Sequence, residues 1–347
     1  MDSRYQFPDL RYSLILLLFS GWVGALASPS QDLVSRLGTR VNLGNALDAP
    51  SEGAWGVRLE NRYFELISEA GFDSIRLPVR WSAHASEKKP YVIEESFLSR
   101  VDWAIDQALR NDLAVALNMH HCMELFEEPE KHQERFLSLW SQIATRYKDL
   151  PSTVMFEPLN EPNTKLTPEK WNALIPQIVD VIRMTNPHRP LVLGVANWSN
   201  VEYTPQLILP SEDPHLILSF HYYSPHEFTH QGTPWSQPRY RNANGIRWMG
   251  TEEEKQAITH DFMIAVEYVR EHEIPIYLGE FGAYQAADMD SRIRWTQFVA
   301  EEARRIGMTV AYWEFIASFG LYDANEDEWR MRLRDAVLPL ILHFSFY

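Results

Sequence analysis

Short runs of apolar and β-branched residues alternate along the chain with longer stretches in which apolar residues recur every three or four positions. The short runs predict eight strands, at Arg40–Leu43, Ser74–Leu77, Ala114–Asn118, Val154–Pro158, Leu191–Val195, Leu216–Phe220, Ile276–Gly279 and Thr309–Trp313. The longer stretches predict helices at Arg58–Ala70, Glu95–Arg110, Lys131–Lys148, Thr167–Thr185, Thr251–His272, Ser291–Arg305 and Met331–His343. This alternation predicts an α/β fold, a single-domain (β/α)8 TIM barrel.

An open, doubly wound sheet is the alternative that the same alternation allows. It is less favoured because no Gly-rich phosphate-binding turn follows the first predicted strand. No Pro-rich, Ser-rich or strongly charged linker interrupts residues 31–347, so we expect one catalytic barrel over residues 28–347. The longest irregular stretch, Ser224–Gly250, follows the sixth predicted strand and should overhang the carboxyl end of the barrel.

The amino-terminal residues have the pattern of an export signal. Arg4 and Arg11 precede the apolar run Leu14–Phe19, and a small-x-small sequence ends at Ala27. This predicts a secretory signal peptide over residues 1–27, cleaved after Ala27, and a secreted or periplasmic protein. An uncleaved membrane anchor is the alternative, although the apolar run is shorter than the roughly 20 residues of a spanning helix. Cys122 is the only cysteine, so no intrachain disulfide can form.

Composition narrows the classes of partner. The formal net charge is −15, which argues against a nucleic-acid groove because such a groove needs clustered Lys and Arg. Aromatic residues make up 13% of the chain, and their flat rings suit either a sugar-binding cleft or a large core. We expect a neutral polysaccharide substrate, no nucleic-acid partner, no stable membrane association after signal cleavage, and a monomer.

Polar residues follow seven of the eight predicted strands, where a TIM barrel carries its active site. They are Asn45, Asp48, Arg76, His120, His121, Asn160, Glu161, His221, Tyr223, Glu280 and Trp313. Glu161 and Glu280 end the fourth and seventh strands, on facing sides of the barrel mouth. Glycoside hydrolysis requires one carboxyl group to protonate the leaving oxygen and a second to attack or to activate water. His230 and Trp235, in the long stretch after the sixth strand, are either substrate contacts or loop packing.

Several segments resemble glycoside hydrolase family 5. They are Val154-Met155-Phe156-Glu157-Pro158-Leu159-Asn160-Glu161-Pro162, Ile276-Tyr277-Leu278-Gly279-Glu280-Phe281-Gly282, Arg76-Leu77-Pro78-Val79-Arg80-Trp81, Asn118-Met119-His120-His121, His221-Tyr222-Tyr223 and Asn42-Leu43-Gly44-Asn45-Ala46-Leu47-Asp48-Ala49-Pro50. They run in family order over residues 40–330. Residues 228–232 and 311–315 are most similar to the bacterial endoglucanase branch that acts on glucan and mannan. Asp48 departs from this branch, in which a Glu is expected.

The resemblance implies a retaining mechanism with Glu161 as general acid/base and Glu280 as nucleophile. It further implies that Arg76 and Tyr223 keep Glu280 ionised and that Asn160 contacts the sugar 2-hydroxyl. Trp313 would stack under the sugar, and the peptide bond after this Trp is often cis in the family. His120 and His221 would complete the polar floor, and His121 would be a further substrate contact. No cofactor and no metal ion are expected.

Three functions remain open at this point. The first is an endo-β-1,4-glucanase (a cellulase) with glucomannan, mannan or mixed-linkage glucan as side substrates. The second is a β-mannanase or another β-glycanase with the same catalytic residues. The third is a non-catalytic carbohydrate-binding barrel, which two intact facing glutamates argue against.

Overall fold

The computed structural model describes residues 38–210 and 213–339. Eight parallel strands pair in sequence order, and the eighth pairs with the first, so the sheet closes into a barrel. The strands are β1 (Thr39–Asn42), β2 (Ser74–Val79), β3 (Ala114–Met119), β4 (Val154–Glu157), β5 (Leu191–Gly194), β6 (Leu216–Tyr222), β7 (Ile276–Phe281) and β8 (Thr309–Tyr312). The predicted (β/α)8 barrel is therefore confirmed, and the open sheet is not.

Within the described residues, seven helices of seven residues or more surround the barrel. They are α1 (Asn61–Glu69), α2 (Glu95–Arg110), α3 (Pro129–Arg146), α4 (Pro168–Arg183), α5 (Glu252–His272), α6 (Met289–Arg305) and α7 (Met331–Val337). Helix α5 begins with a full capping box, in which Thr251 and Glu254 bond to each other's backbone N–H groups. Helix α7 ends at Val337, two residues before Pro339, as expected from the break that a proline imposes on the predicted stretch Met331–His343.

Short elements fill the remaining connections. They are the helices Met123–Glu127, Ala196–Ser199, His226–Thr229 and Pro238–Arg241, the 3-10 helices Trp81–His84 and Val201–Gln206, and a two-stranded sheet of β9 (Tyr322–Asp323) and β10 (Glu328–Trp329). The segment Ser224–Gly250, predicted as irregular, thus contains two helical turns. Its Gln231 side chain is fully buried and bonds the backbone of Phe228 and Ile246, which gives the loop a polar centre.

The connection between β5 and β6 has no long helix among the residues that the structure describes. Residues Asn197, Trp198 and Ser199 all have positive φ angles, between 52° and 59°, so the chain makes a left-handed turn directly after β5. Such a turn cannot propagate into an α-helix of L-residues, which explains why a short 3-10 helix follows. Helix α5 covers this side of the barrel, and Tyr268 donates a hydrogen bond to the Leu207 carbonyl at 2.9 Å.

The core has two layers. The larger cluster lies between the strands and the helices and contains the fully buried Trp140, Trp171 and Trp295. A smaller cluster shares the inward positions of the strands: Ala114, Ala116, Met155, Val192, Ile217, Tyr277 and Ala311. Side chains of this kind pack the inside of a barrel rather than leaving a pore. The inner cluster therefore closes the barrel below its carboxyl-terminal mouth.

The predicted signal peptide, residues 1–27, lies outside the described residues, so its cleavage after Ala27 stays a prediction. Within residues 38–210 and 213–339, none of the helices has the length and apolar character that a membrane span needs.

Candidate active site

Arg76 is the central cation of the barrel mouth. It projects from β2, is fully buried, and forms a two-bond ion pair with Glu157 of β4 at 2.7 and 2.6 Å. Its Nη1 also donates to Glu280 Oε1 at 2.6 Å, and its Nη2 donates to Asn160 Oδ1 at 2.6 Å. A guanidinium group can hold this many acceptors because its five N–H donors form a rigid planar fork. Arg76 thus ties three strand ends into one polar layer.

A β-bulge turns Glu280 into the mouth. Tyr277 faces the barrel interior, so strict alternation along β7 would direct Gly279 inward and Glu280 outward. The β6–β7 register shifts between Phe220 and His221, so that Phe220 faces Leu278 but His221 faces Glu280. The β7–β8 register shifts in the same stretch of β7. The extra residue re-aims the carboxylate, as bulges beside active sites commonly do.

Gly279 is required at this bulge because the strands approach closely. A Cβ atom at this position would lie 2.7 Å from Ser219 Oγ and 3.0 Å from His221 Nε2. Only a residue without a side chain fits this space, so the glycine before Glu280 is part of the device that positions the acid.

Glu161 and Glu280 meet across the mouth, as the sequence predicted. One carboxylate oxygen of each and one His221 ring nitrogen all lie within 4.8 Å of one another. His221 Nδ1 is 2.7 Å from Glu161 Oε1 and 3.6 Å from Glu280 Oε2. Retaining glycosidases hold their carboxyl groups about 5–5.5 Å apart, whereas inverting enzymes need about 6.5–9.5 Å to admit a water molecule. Nearest oxygens within 4.8 Å of each other are consistent with the shorter, retaining separation.

Burial raises the pKa of Glu161 to about 7, with a smaller upward contribution from the charge of Glu157 and a downward one from Arg76. Loss of hydration is the larger cause, and among the described residues Glu161 has no direct bond to a cation with a permanent charge. Its ring partner His221 is neutral near pH 7, since burial lowers the pKa of His221 to about 4. A carboxyl group in this environment holds its proton near neutral pH.

Glu280 has the opposite kind of surroundings. Its pKa is also raised overall, because burial and the charge of Glu161 outweigh the lowering by Arg76 and by the hydrogen bond from Tyr223. The Tyr223 hydroxyl donates to Glu280 Oε2 at 2.9 Å, and Arg76 occupies Oε1. Both carboxylate oxygens therefore accept bonds that favour the ionised form, and one of them comes from a full positive charge. Of the two acids, Glu280 is the one held as a carboxylate.

Trp313 forms one wall of the mouth at the end of β8. Its ring lies parallel to that of His120, with 5.6 Å between centroids and 7° between planes. The Trp313–Glu314 peptide bond is cis, as the resemblance predicted. Glu314, which the sequence reading missed, is buried, accepts a hydrogen bond from Asn45 Nδ2 and another from the Phe319 N–H. The signal available in the sequence was an acidic residue directly after the strand-end Trp.

Asp48 and His121 lie beside His120 on the β1–β3 side of the mouth. The His120 and His121 rings meet edge to face at 4.5 Å, and Trp55 meets His121 edge to face at 5.4 Å. Asp48 is 1% exposed, and one of its oxygens accepts a bond from the Ala46 N–H at 2.9 Å. Burial raises the pKa of Asp48 to about 6.

His230 and Trp235, the two predicted site residues in the loop after β6, have different surroundings. His230 packs edge to face against Tyr223 with 4.9 Å between centroids, so it supports the hydroxyl that bonds Glu280. Trp235 is 64% exposed and meets Tyr284 edge to face at 5.5 Å. Among the described residues, His230 thus joins the polar cluster through Tyr223, and Trp235 stands apart from it.

Trp198 is a second residue that the sequence reading missed. It is 54% exposed and lies in the left-handed turn after β5, the one strand for which no site residue was predicted. The backbone N–H of Trp198 donates a hydrogen bond to the carbonyl of Pro162, the residue after Glu161. An aromatic residue soon after a strand end is the signal that could have found it.

The sequence does contain a His-Glu-x-x-His spacing, the pattern of zinc metalloproteases, in His226-Glu227-Phe228-Thr229-His230. The helix here has four residues, and the His226 and His230 rings stack with 5.1 Å between centroids. In the part of the chain that the structure describes, the groups that bring three ligand atoms together include neither histidine. This spacing therefore belongs to loop packing.

At the barrel mouth, Glu161 holds a proton and faces Glu280, which is held as a carboxylate. Exposed indole rings flank the two acids. This is the arrangement of a glycoside hydrolase. The family model described as "Cellulase (glycosyl hydrolase family 5)" matches residues 38–318. The chain belongs to this family.

Comparisons with individual proteins agree. Endoglucanase H of Acetivibrio thermocellus is 34% identical over 283 residues, which are 82% of this chain and 30% of that protein. Cellulase/esterase CelE of the same organism is 28% identical, over 82% of this chain and 36% of that protein. The chain thus spans about a third of the length of these two curated relatives.

Solved structures align over their whole length. An endoglucanase structure is 46% identical with a TM-score of 0.87 and covers 89% of this chain and 99% of its own. Cel5A of Thermotoga maritima, solved in complex with cellobiose, is 43% identical with a TM-score of 0.87 over 89% of this chain and all of its own. The same enzyme was also solved with mannotriose.

Proposed function

We propose that this protein is an endo-β-1,4-glucanase that hydrolyses β-1,4-glucan with net retention. The observation that carries the proposal is the pairing of Glu161 and Glu280, whose nearest carboxylate oxygens lie within 4.8 Å of each other and of His221. Relatives named endoglucanase and a shared family support the substrate class. The retaining geometry supports a covalent intermediate.

In the first step, the Glu280 carboxylate attacks the anomeric carbon while Glu161 transfers its proton to the departing glycosidic oxygen. In the second step, Glu161, now ionised, removes a proton from water, and that water displaces Glu280 from the sugar. Arg76 and Tyr223 hold Glu280 ionised and oriented in both steps. Because Asn160 Oδ1 is occupied by Arg76, its amide N–H₂ group is the part available to the sugar 2-hydroxyl.

The aromatic residues supply the sugar-binding surface. Trp313 forms the platform nearest the two acids, and the exposed faces of Trp198 and Trp235 extend the cleft on the side of β5 and of the loop after β6. Asp48, His120 and His121 contact sugar hydroxyls on the opposite side. The Cel5A complexes with cellobiose and with mannotriose favour mannan or glucomannan as a second substrate. A β-mannanase is therefore the second candidate function.

Assays on carboxymethylcellulose, glucomannan and mannan test the substrate. We expect the highest kcat/KM on the glucan and measurable turnover of glucomannan. Faster turnover of mannan than of glucan would favour the β-mannanase. Absence of turnover on all three, in a folded protein, would leave only a carbohydrate-binding barrel.

The nucleophile is tested with Glu280→Ala. We expect hydrolysis to be abolished, and azide to restore cleavage of an activated aryl glycoside with a glycosyl azide of inverted configuration as product. NMR of the product assigns its configuration. Near-normal hydrolysis in this variant contradicts the assignment of Glu280.

Glu161→Ala tests the general acid. Substrates with poor leaving groups need the proton, so we expect kcat to fall about 10²–10⁴-fold on cello-oligosaccharides. An activated aryl glycoside should lose much less in its first step. Equal losses on both substrates would reverse the two assignments.

We further propose that residues 1–27 direct export and that the mature enzyme acts outside the cytoplasm. The Arg-flanked apolar run and the small residues before position 28 support this. Amino-terminal sequencing of the exported protein tests it, with Ser28 as the expected first residue.

A further inference from the structure

The side chains of Asp48, His120 and His121, here called the Asp48 cluster, converge from the ends of β1 and β3. One ligand atom of each, a carboxylate oxygen and two imidazole nitrogens, lies within 4.8 Å of the other two. Asp48 and His120 are buried, and His121 is partly exposed to the cleft. Two imidazoles and one carboxylate are the donor set that proteins use for Zn²⁺ and related transition metals.

The histidines are oriented as metal ligands are. His120 Nδ1 lies 2.8 Å from Asn118 Oδ1, which accepts a hydrogen bond, so the Nδ1 position carries the proton and Nε2 presents its lone pair. Histidines that bind metals commonly donate their second ring N–H to such an acceptor.

The carboxylate has an unused oxygen. Asp48 Oδ1 accepts from the Ala46 N–H, whereas Oδ2 is buried and has no hydrogen-bond partner among the described residues. His121 Nε2 lies 4.0 Å from Oδ2. A buried oxygen without a partner is costly, so this atom is poised to accept a proton, a hydroxyl group or a cation.

We propose that the Asp48 cluster binds a divalent transition-metal ion of the Zn²⁺ type, and that the bound ion competes with the sugar substrate. Bonds of about 2.0–2.2 Å to three ligands place those ligand atoms about 3.4 Å apart in tetrahedral geometry. The ligand atoms, which lie within 4.8 Å of one another, must therefore move closer together, and the partly exposed His121 ring can supply this movement. Trp313 stacks on His120 at the edge of the cluster.

The second group with three convergent donors, Glu161, His221 and Glu280, is a poorer site. Both Glu280 oxygens already accept bonds, from Arg76 and from Tyr223. The guanidinium charge of Arg76 at 2.6 Å also repels a cation. In the Asp48 cluster, by contrast, the ligand oxygen is free. The competition part of the proposal rests on the proposed function, but metal binding itself does not.

Binding is measured on the purified full chain after removal of metals with EDTA, by calorimetry with Zn²⁺ and by visible absorption with Co²⁺. We expect one equivalent of either ion to bind. Asp48→Asn and His121→Ala should each weaken binding by at least about tenfold. His188→Gln, which changes an exposed histidine beside His215, is the matched control and should bind as the unchanged protein does.

Two results would overturn the site: no binding of either ion, or unchanged affinity in both Asp48→Asn and His121→Ala. Glu161→Gln distinguishes binding at the Asp48 cluster from binding at Glu161, His221 and Glu280. If the ion lies on the Asp48 cluster, this variant should keep the Co²⁺ spectrum. Loss of the spectrum in this variant would place the ion at the catalytic acids instead.

Competition is measured as the effect of Zn²⁺ on hydrolysis of a soluble cello-oligosaccharide. We expect KM to rise and kcat to stay unchanged, and a fall in kcat alone would contradict competition. A protein that binds Zn²⁺ at the Asp48 cluster but hydrolyses nothing would refute the proposed function and keep the site. A protein that hydrolyses glucan but binds no Zn²⁺ would refute the metal site and keep the proposed function.

Discussion

At the scale of single residues, Glu161 and Glu280, the two glutamates proposed as catalytic, differ in their neighbours. Glu280 accepts bonds from Arg76 and Tyr223, whereas Glu161 is bonded to a neutral imidazole. The same side chain is therefore a carboxylate in one position and a proton donor in the other. The pH dependence of catalysis should reflect both environments.

The upper limb of the pH profile should belong to Glu161. Its proton is needed in the first step and its pKa is raised to about 7, so kcat/KM should fall as the pH rises through about 7. The profile of kcat/KM on a soluble cello-oligosaccharide measures this. In Glu161→Gln, the residual activity on an activated aryl glycoside should lose this upper limb. An unchanged upper limb would assign it to another group.

The lower limb should depend on Tyr223. Tyr223→Phe removes a hydrogen bond donated to ionised Glu280, which favours the protonated form and raises the pKa of Glu280. The acidic limb of kcat/KM should then move to higher pH, with the upper limb unaffected. A lower limb that stays in place would show that Arg76 alone keeps Glu280 ionised.

At the scale of elements, the bulge in β7 decides where Glu280 points. Gly279→Ala places a methyl group 2.7 Å from Ser219 Oγ and 3.0 Å from His221 Nε2, so the bulge must shift. Displacement of a reacting group by about 1 Å costs on the order of 10² in rate, and we expect a loss of this size in kcat. Circular dichroism and thermal unfolding check that the barrel still forms.

A second substitution makes this test specific. Ser219 Oγ has no hydrogen-bond partner in the described structure, so Ser219→Ala alone should cost little. Combined with Gly279→Ala, it removes the nearer of the two contacts and should restore part of kcat. Equal activity of the single Gly279→Ala and double variants would show that the crowding is elsewhere.

At the scale of the whole molecule, function and stability lie at opposite ends of the barrel. Arg189 is buried at the amino-terminal end of β4 and donates hydrogen bonds to the carbonyls of Tyr147, Leu150, Pro151 and Val154. It joins the end of α3 to the start of β4. These bonds support the scaffold at the end of the barrel opposite the mouth.

Arg189→Met should lower the free energy of unfolding by about 3 kcal/mol or more, because several buried carbonyls lose their donor. Denaturant unfolding measures this, and kcat at 25 °C should stay unchanged. Arg110→Met is the control, since it removes an exposed ion pair with Asp106 and should change stability by about 0.5 kcal/mol or less. A drop in kcat for Arg189→Met would contradict the separation of the two ends.

The sequence by itself determined the barrel and the identity of most residues at its mouth. Strand and helix periods are local properties, and the carboxyl ends of barrel strands necessarily meet, so Glu161 and Glu280 could be placed on facing sides. The left-handed turn after β5, and with it the position of Trp198, could not be read in this way. Three successive left-handed residues there are non-glycine, and nothing in their types demands that conformation.

Only the tertiary structure decided how these residues act on one another. Alternation with period two would have turned Glu280 outward, and the bulge depends on the pairing of β7 with both neighbours. The high pKa of Glu161 and the free oxygen of Asp48 arise from burial and from which donors lie within reach. Burial and hydrogen bonding are set by segments distant in the chain, so no local pattern contains them.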